Sequence, residues 1–291
     1  MAITASQQEV WSAKIAENLD AMSVYEQALT NSDYEGDAAT AKTVHIIHIG
    51  DVSVDDYTGA WTDADWEDLD DDALSLAVDQ EKYFRFKVKD TDQYGSTLRL
   101  IDIGSQRAAF AIKDTRDQFL ASLHSQASSD NDYGTTGAPI TIGLGTGEVR
   151  PSTALARQVE ALTVSKVKGA LNAVVPPWFG TMLLKELGIN RETAMGDAGV
   201  KAGVQEGLIV SGVNGIAGVY VSNNVANTTA TKYKIMVGPN PITLAQALQK
   251  VETVRLQNDF ATGVKGLYVY GAKIIQPLKM SVGTYNKGAY E

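Results

Sequence analysis

Gly207-Leu-Ile-Val-Ser-Gly-Val-Asn-Gly-Ile-Ala-Gly-Val-Tyr-Val-Ser-Asn-Asn224 is the stretch on which the reading of this chain turns. Gly207, Gly212, Gly215 and Gly218 permit positive φ and close backbone approach, so compact turns between short strands are expected, with Ile216 to Val221 as one strand. The glycine-rich passage begins earlier, at Gly196, Gly199 and Gly203. Before it the spacing predicts a helix from about Ser152 to Leu171, a strand-like Ala173-Val-Val-Pro-Pro and a short helix over Trp178 to Leu187. After it, Ile235 to Val237 reads as a strand. Leu244, Leu248 and Val251 on one face then predict a helix from about Thr243 to Asn258. The chain closes with Val264 to Val282, a strand pair or bent strand rich in Tyr268, Val269, Tyr270, Ile274, Ile275, Leu278 and Met280.

The first half has a different grammar. Trp11, Ile15, Leu19, Met22, Tyr25 and Leu29 recur every three or four residues, which predicts an amphipathic helix over Ser6 to Leu29, with Ser6 and Glu9 at capping-box spacing. Thr30 to Ala41 loses that period and reads as a linker, so the helix can fold back or reach to a neighbour. Thr43 to Tyr57 is β-branched and apolar. Leu74, Leu76 and Val78, then Phe84, Phe86 and Val88, alternate with small, polar or basic residues on one parity. Between these strands lies a segment too long for a tight turn and crowded with Asp63, Asp65, Glu67, Asp68, Asp70, Asp71 and Asp72. The expected object is a projecting two-stranded ribbon with an acidic tip. Trp61 and Trp66 in that tip either meet a partner surface or tuck under their own loop. Ile101, Ala108, Ile112, Thr115, Phe119 and Leu123, with Gly104 in the gap, predict a long helix that ends in the polar breaker Ser125 to Gly134. Helices and strands in this order make the class α+β, without internal repeats.

Composition narrows function. The chain of 291 residues is long enough to bury a sizeable core, and 44% hydrophobic with 21% charged residues is globular composition. Cysteine is absent, which removes disulfides, thiolate metal sites and cysteine nucleophiles. No apolar run approaches the ~20 residues that span a bilayer, and the start lacks the pattern of a secretory signal. A net charge of -10 opposes strong binding to phosphate backbones unless a basic patch intervenes, and none stands out in the sequence.

Candidate chemistry is sparse. His45 and His48 lie three apart on a predicted strand and so point to opposite faces, which argues for structural roles. Gly143-Leu-Gly-Thr-Gly147 lacks the sixth-position glycine of a dinucleotide fingerprint and any following Gly-Lys-Ser/Thr, and reads as a flexible turn. Asp63, Asp65 and Glu67 alternate as Ca²⁺ ligands do, but Asp68 stands where an EF-hand loop has its glycine, and Leu74 where it has its last glutamate. Acidic surface that docks on a neighbour's basic residues fits better, with a merely solvated loop as the alternative. No nucleophile, base and orienter assemble, so no catalytic residue, cofactor or metal is expected.

The order of these parts resembles the major capsid (coat) proteins of tailed bacteriophages, which have the HK97-like fold. Gly207 to Asn224 looks like that family's run of turn, strand and "vyvSNN", and Val174-Val-Pro-Pro-Trp178 before Leu183-Leu184 looks like its strand, proline and helix element. Thr243 to Asn258 looks like its late A-domain helix, Gly266-Leu-Tyr-Val-Tyr-Gly271 like its closing strand, and Thr43-Val44 like the start of its E-loop. The resemblance implies an N-terminal arm over 1–42 and an E-loop with its P-domain strand over 43–90, the acidic tip at about 58–72. It further implies a P domain with spine helix over 91–150, an A domain over 151–263 and a closing P-domain strand over 264–291.

It also implies self-assembly into pentamers and hexamers of an icosahedral head, in a virion assembled in the host cytoplasm. The partners are a separate scaffolding protein, a portal and a decoration protein; double-stranded DNA would be enclosed by non-specific confinement, with no membrane. The separate scaffold is expected because Met1 is followed almost at once by the arm helix. Trp11 in the arm and Trp61, Asp63, Asp65, Trp66, Glu67, Asp68, Asp70, Asp71 and Asp72 in the finger are the candidate subunit contacts. Two other classes stay open: an encapsulin-like nanocompartment shell, distinguished by protein cargo, and a metal-dependent enzyme with carboxylate ligands, distinguished by turnover in dispersed monomers.

Overall fold

The structure is a computed structural model. It describes residues 23–33, 43–49, 56, 71–95, 100–187, 208–210, 214–228 and 231–289. In chain order the strands are β1 (Thr30–Asn31), β2 (Thr43–Ile49), β3 (Asp71–Ala77), β4 (Gln80–Lys89), β5 (Ile140–Ile142), β6 (Leu171–Val175), β7 (Leu208–Val210), β8 (Ile216–Val221), β9 (Asn227–Thr228), β10 (Lys232–Gly238), β11 (Ile242–Arg255), β12 (Ala261–Ile274) and β13 (Ser281–Lys287). They form a four-stranded sheet ordered β1-β11-β12-β4, a seven-stranded sheet ordered β5-β13-β10-β6-β8-β7 with β9 on β10, and the two-stranded β2-β3 ribbon. Helices cover Tyr25–Leu29, Asp90–Gly95, Leu100–Ser122, Pro151–Val164 and Pro177–Leu187. The α+β class holds.

The seven-stranded sheet carries the glycine-rich passage. Leu155 and Leu162 of the Pro151–Val164 helix, with Phe179, Met182 and Leu183 of the next, are buried against Ile216, Val219, Ile235 and Tyr285. Each such side chain contributes roughly 1.5–3 kcal/mol of transfer free energy, and together they fix which face of the sheet the two helices cover. Ser152 at the helix start donates from its N–H and its hydroxyl to Glu186, satisfying a backbone donor the helix itself cannot. This helix ends at Val164, not near Leu171 as the periodicity predicts, because Lys166 (φ 57°) and Gly169 (φ 137°) take left-handed conformations and turn the chain into β6. A side chain at Gly169 would also meet Pro239 at 2.9 Å.

The long helix Leu100–Ser122 lies on the four-stranded sheet. Gly104 permits this: a Cβ there would meet the Phe86 ring at 2.7 Å. The buried face runs through Arg116, Asp117, Leu120 and Leu123, with Ile112 and Phe119 half-buried, and Thr115 of the predicted stripe is exposed. Tyr25 and Leu29, the last two members of the arm stripe, are fully buried in the same core with Tyr268 and Tyr270. The earlier members, Trp11 to Met22, lie outside the described residues. Thr30 and Asn31, expected as linker, pair in parallel with Ile242 and Thr243 and so satisfy backbone groups at the start of β11.

The helix predicted over Thr243 to Asn258 is instead β11. It pairs antiparallel with β12 from Ile242↔Ile274 to Arg255↔Thr262, with a bulge between Gln246 and Leu248. Ala, Leu, Gln, Lys and Glu favour a helix locally, but intrinsic propensity is a weak term against a ladder of this length on a Val- and Tyr-rich partner. The bulge also breaks the period-two alternation by which the strand would have been recognised. The resemblance of this segment to a late A-domain helix fails with it. The closing strand pair is found as β12 and β13, joined by a 3₁₀ turn over Pro277–Lys279.

Candidate functional site

Three surfaces radiate from this body: the root of the arm, the ribbon, and the outward face of β4, β12 and β11. The arm root is anchored on one carboxylate. Asp117 is buried on the long helix; its Oδ1 accepts the Tyr25 N–H at 2.8 Å and the Ser23 hydroxyl at 3.4 Å. Its Oδ2 accepts from the Ser222 hydroxyl at 3.3 Å and Asn224 Nδ2 at 3.2 Å. Asn224 Nδ2 also donates to Asp114 at 2.7 Å. The Ser-Asn-Asn ending of the glycine-rich stretch is thus a receptor for the long helix, and the same carboxylate holds the start of the arm. Burial pushes the Asp117 carboxyl above the usual carboxylate range, against the lowering effect of the hydrogen bonds it accepts. Beside it the buried Arg116 pairs with Glu26 of the arm and donates to Tyr268 Oη at 2.6 Å, stacking its guanidinium over that ring. Asn172 donates to Ala28 O at 2.8 Å.

The ribbon is the predicted antiparallel pair, with Thr43 opposite Ala77 and Ile49 opposite Asp71. Its root buries Val44, Ile46, Leu76 and Val78 on Ala245, beside Val269 and Ile275. Gly271 makes this seat possible, since a Cβ there would lie 2.2 Å from Ala77 O. Lys273 Nζ caps the seat by donating to Ser75 O at 2.9 Å. Of the predicted finger contacts, Asp71 and Asp72 open β3, at the backbone positions paired with Ile49 and His48. Trp61, Asp63, Asp65, Trp66, Glu67, Asp68 and Asp70, like Trp11 in the arm, lie outside the described residues.

The third surface was legible as alternation but was assigned no role. The register Arg85↔Lys265↔Glu252 and Tyr83↔Leu267↔Lys250 places these side chains on one face of three adjacent strands, opposite the face that Phe84, Phe86 and Tyr268 turn to the long helix. Tyr83 is 69% exposed, and Arg85 stacks on its ring. Glu252 bridges Lys250 and Lys265, which holds its carboxyl below the usual range. At the far end Lys87 pairs with Asp259, while the two terminal guanidinium nitrogens of Arg255 donate to Asp90, whose carboxyl is also held low. Phe260 in this hairpin turn is 82% exposed.

Little here suggests catalysis. Among the described residues no group of three or more His, Asp or Glu is placed to hold a metal ion. The Gly143–Gly147 turn is fastened, not flexible: Glu148 accepts the N–H groups of Gly145 and Ala289, and Leu144 N–H donates to Ala289 O at 3.1 Å. The backbone donors of Gly143, Leu144 and Gly145 are therefore already engaged within the chain and turned away from any external anion. Among the described residues no helix is long and apolar enough to cross a membrane.

Comparison with known proteins gives one consistent result. No family model and no curated protein sequence matches the chain. Among solved structures, one from Mycobacterium phage Che8 is similar with 25% identity and a TM-score of 0.74, covering 98% of both chains. The cyanophage Pam1 capsid asymmetric unit is similar at 12% identity and TM-score 0.73, over 98% of both chains. The capsid of Ralstonia phage GP4 is similar at 11% identity and TM-score 0.71, over 100% of this chain and 98% of that one.

Proposed function

We propose that this chain, which has the HK97-like fold of phage capsid subunits, is a major capsid protein that self-assembles into the icosahedral head of a tailed bacteriophage. The observation that carries the reading is a likeness to phage structures spanning 98% of the chain at TM-scores of 0.74 and 0.73, the second of them a capsid asymmetric unit. A fold shared with phage capsid structures over 98–100% of the chain supports a structural role.

In this reading β2–β3 is the E-loop and Leu100–Ser122 the spine helix; β11 and β12 of the four-stranded sheet go with the P domain, and β5 and β13 of the seven-stranded sheet with the A domain, which redraws the boundaries expected at 150/151 and 263/264. Pentamers and hexamers form through many moderate contacts, which lets symmetric assembly correct errors before it locks. Trp11 and the segment from Trp61 to Asp72 are the contacts made on sister copies. A scaffolding protein and a portal complete the particle. Double-stranded DNA is confined without specific contacts, as suits a net charge of -10.

Electron microscopy of the purified full-length protein tests the reading, alone and co-expressed with the scaffold: closed shells of uniform diameter are expected. Strictly monomeric material under all these conditions overturns it. Shells that enclose protein in place of DNA in infected cells would reassign the chain to an encapsulin-like compartment.

A further inference from the structure

We propose that the Asn214–Gly215 turn is a site of spontaneous covalent modification: the Asn214 side chain loses ammonia by ring closure onto the Gly215 nitrogen, and the turn is then released from the helix Pro151–Val164. The inference concerns the folded subunit and holds whether or not copies form a shell.

Reactivity is the first argument. Ring closure needs an asparagine whose following peptide nitrogen can reach its own side-chain Cγ, and a side chain on the following residue obstructs that approach. Asn214 is the asparagine in this sequence that precedes a glycine; the others precede bulkier residues or, at Asn240, a proline with no N–H to react. Asn214 and Gly215 are both exposed and both left-handed, with φ of 50° and 84°, in the turn that enters β8. The Asn214 amide is held by an exposed hydrogen bond, Nδ2 donating to Ser152 O at 2.8 Å. A bond of that kind exchanges with water at little cost, which frees the side chain to turn towards Gly215. Asn131 shows the contrast: it is 1% exposed, donates to Leu278 O at 2.6 Å and accepts the Ser165 hydroxyl at 2.7 Å.

The step needs water as its sole co-reactant. The Gly215 nitrogen gives its proton to solvent base and bonds to Asn214 Cγ, the Cγ–Nδ2 bond breaks, and ammonia leaves. Water then opens the cyclic imide at either carbonyl. Cleaving the bond to Cγ leaves aspartate; cleaving the bond to the main-chain carbonyl leaves isoaspartate, with Gly215 joined through the former side chain. Both products replace a donor with a carboxylate, and this is the second argument. The new carboxylate faces Ser152 O, and Ser152 already gives its N–H and its hydroxyl to Glu186. A helix N-terminus favours negative charge, but that field is spread over the first turn, whereas the carbonyl oxygen stands at contact distance and repels. The turn lies on the helix, a Cβ at Gly215 standing 3.5 Å from Val159 Cγ1, so the reaction turns its tether into a repulsion.

The test holds full-length, folded protein in mildly alkaline buffer and follows it by peptide mapping with mass spectrometry, scoring isoaspartate by enzymatic methyl transfer. Asn214 is expected to convert roughly tenfold faster than Asn258, which is exposed but followed by Asp259, whose side chain obstructs the nitrogen and whose charge opposes its deprotonation. Conversion should accelerate as pH rises and be absent at this position in Asn214→Gln, whose longer side chain closes a less favourable ring. Asn214→Asp, which carries the product's charge from the outset, is expected to lower the thermal midpoint by roughly 2–4 °C and to speed amide exchange over residues 151–156. Conversion at Asn214 no faster than at Asn258, or seen only after unfolding in urea, would overturn the modification. An Asn214→Asp subunit with the wild-type midpoint and exchange would overturn the release. Should that variant fail to fold, aged wild-type protein decides: a converted fraction that melts and exchanges like the fresh one overturns the release.

Discussion

Replacing Asp117 is the most informative perturbation of the folded body, because one carboxylate fastens three pieces of chain. In Asp117→Ala the Tyr25 N–H, held at 2.8 Å in the native state, is left buried without an acceptor. Such a donor costs about 1.5–3 kcal/mol. Ser222 and Asn224 lose their 3.3 and 3.2 Å bonds but keep others, the Ser222 hydroxyl accepting from Asn224 N–H and Asn224 donating to Asp114. Each of these losses is worth roughly 0.5 kcal/mol. Removing an uncomfortable buried charge returns part of that, so the net loss is about 3 kcal/mol. For a chain of this size that lowers the melting midpoint by roughly 6–10 °C. Asp117→Asn keeps one acceptor oxygen, and Ser222 can rotate to accept from the new amide, so about 1 kcal/mol or less is expected. Thermal melts of unassembled full-length protein give the stabilities. Limited proteolysis supplies the second readout: cleavage near residues 23–33 should appear in the alanine variant well before any in the rest of the chain. An alanine variant within ~0.5 kcal/mol of wild type, or an asparagine variant as damaged as the alanine one, would refute the anchoring role. The pH dependence has a definite sign. The folded carboxyl titrates above its unfolded value, so the ionised form is the costly one. Wild type should gain on Asp117→Asn as pH falls through the raised value towards about 4, then gain no more.

Asp90 should behave oppositely. Its carboxyl is held low by the hydrogen bonds from Arg255, so the contribution of the clamp is present above about pH 4 and is lost as pH falls further, through the lowered value. Amide exchange at the β11–β12 turn should accelerate there, and high salt at neutral pH should mimic the effect because the pair is exposed. Gly271→Val should unseat the ribbon, since its Cβ would overlap Ala77 O at 2.2 Å. The expected cost is about 1–3 kcal/mol, read as a lower melting midpoint with earlier proteolysis between Thr43 and Val78. Deleting Trp61 to Asp72 should leave a folded subunit that forms no shells, as judged by sedimentation; normal particles would count against finger docking.

What the sequence showed and what it hid divide along one physical line. Period-two alternation over Phe84 to Lys89 is local, and β4 follows it residue by residue, even positions towards the long helix and odd ones towards solvent. The arm stripe is local too, and Tyr25 and Leu29 are buried as it requires. β11 departs from its local signal because its conformation is imposed from outside. Its composition favours a helix, its bulge at Gln246/Leu248 erases the alternation, and the β12 ladder that decides the matter is a tertiary fact. The Asp117 hub was invisible for the same reason: Ser23, Asp117 and Ser222 are about a hundred residues apart. Ser-Asn-Asn was quotable as a motif, but nothing local says that its side chains serve a carboxylate on a helix. The basic face lay halfway. Arg85, Lys87 and Lys89 share a parity that could be read directly, whereas Lys250 and Lys265 join them only through the register with β11 and β12.

Two anchors fix the roots of the arm and the ribbon on the folded body. The arm root sits on Asp117 and Arg116 near the C-terminal end of the long helix. The ribbon root sits at the C-terminal end of β12, on Gly271 and Lys273. Each is held by buried apolar side chains plus a few directed hydrogen bonds to a rigid element, so neither depends on what its far end touches. In the proposed assembly, position at the root is set before copies meet, so contacts made farther along each extension need only be weak ones. Strong, dry contacts at the far ends would trap misplaced copies; strong roots with weak tips let an error dissociate without unfolding the subunit. On this logic, weakening a root and removing a tip differ in kind: Asp117→Ala should lower the melting midpoint of the isolated subunit, whereas deleting Trp61 to Asp72 should leave that midpoint unchanged and impair only the association of copies.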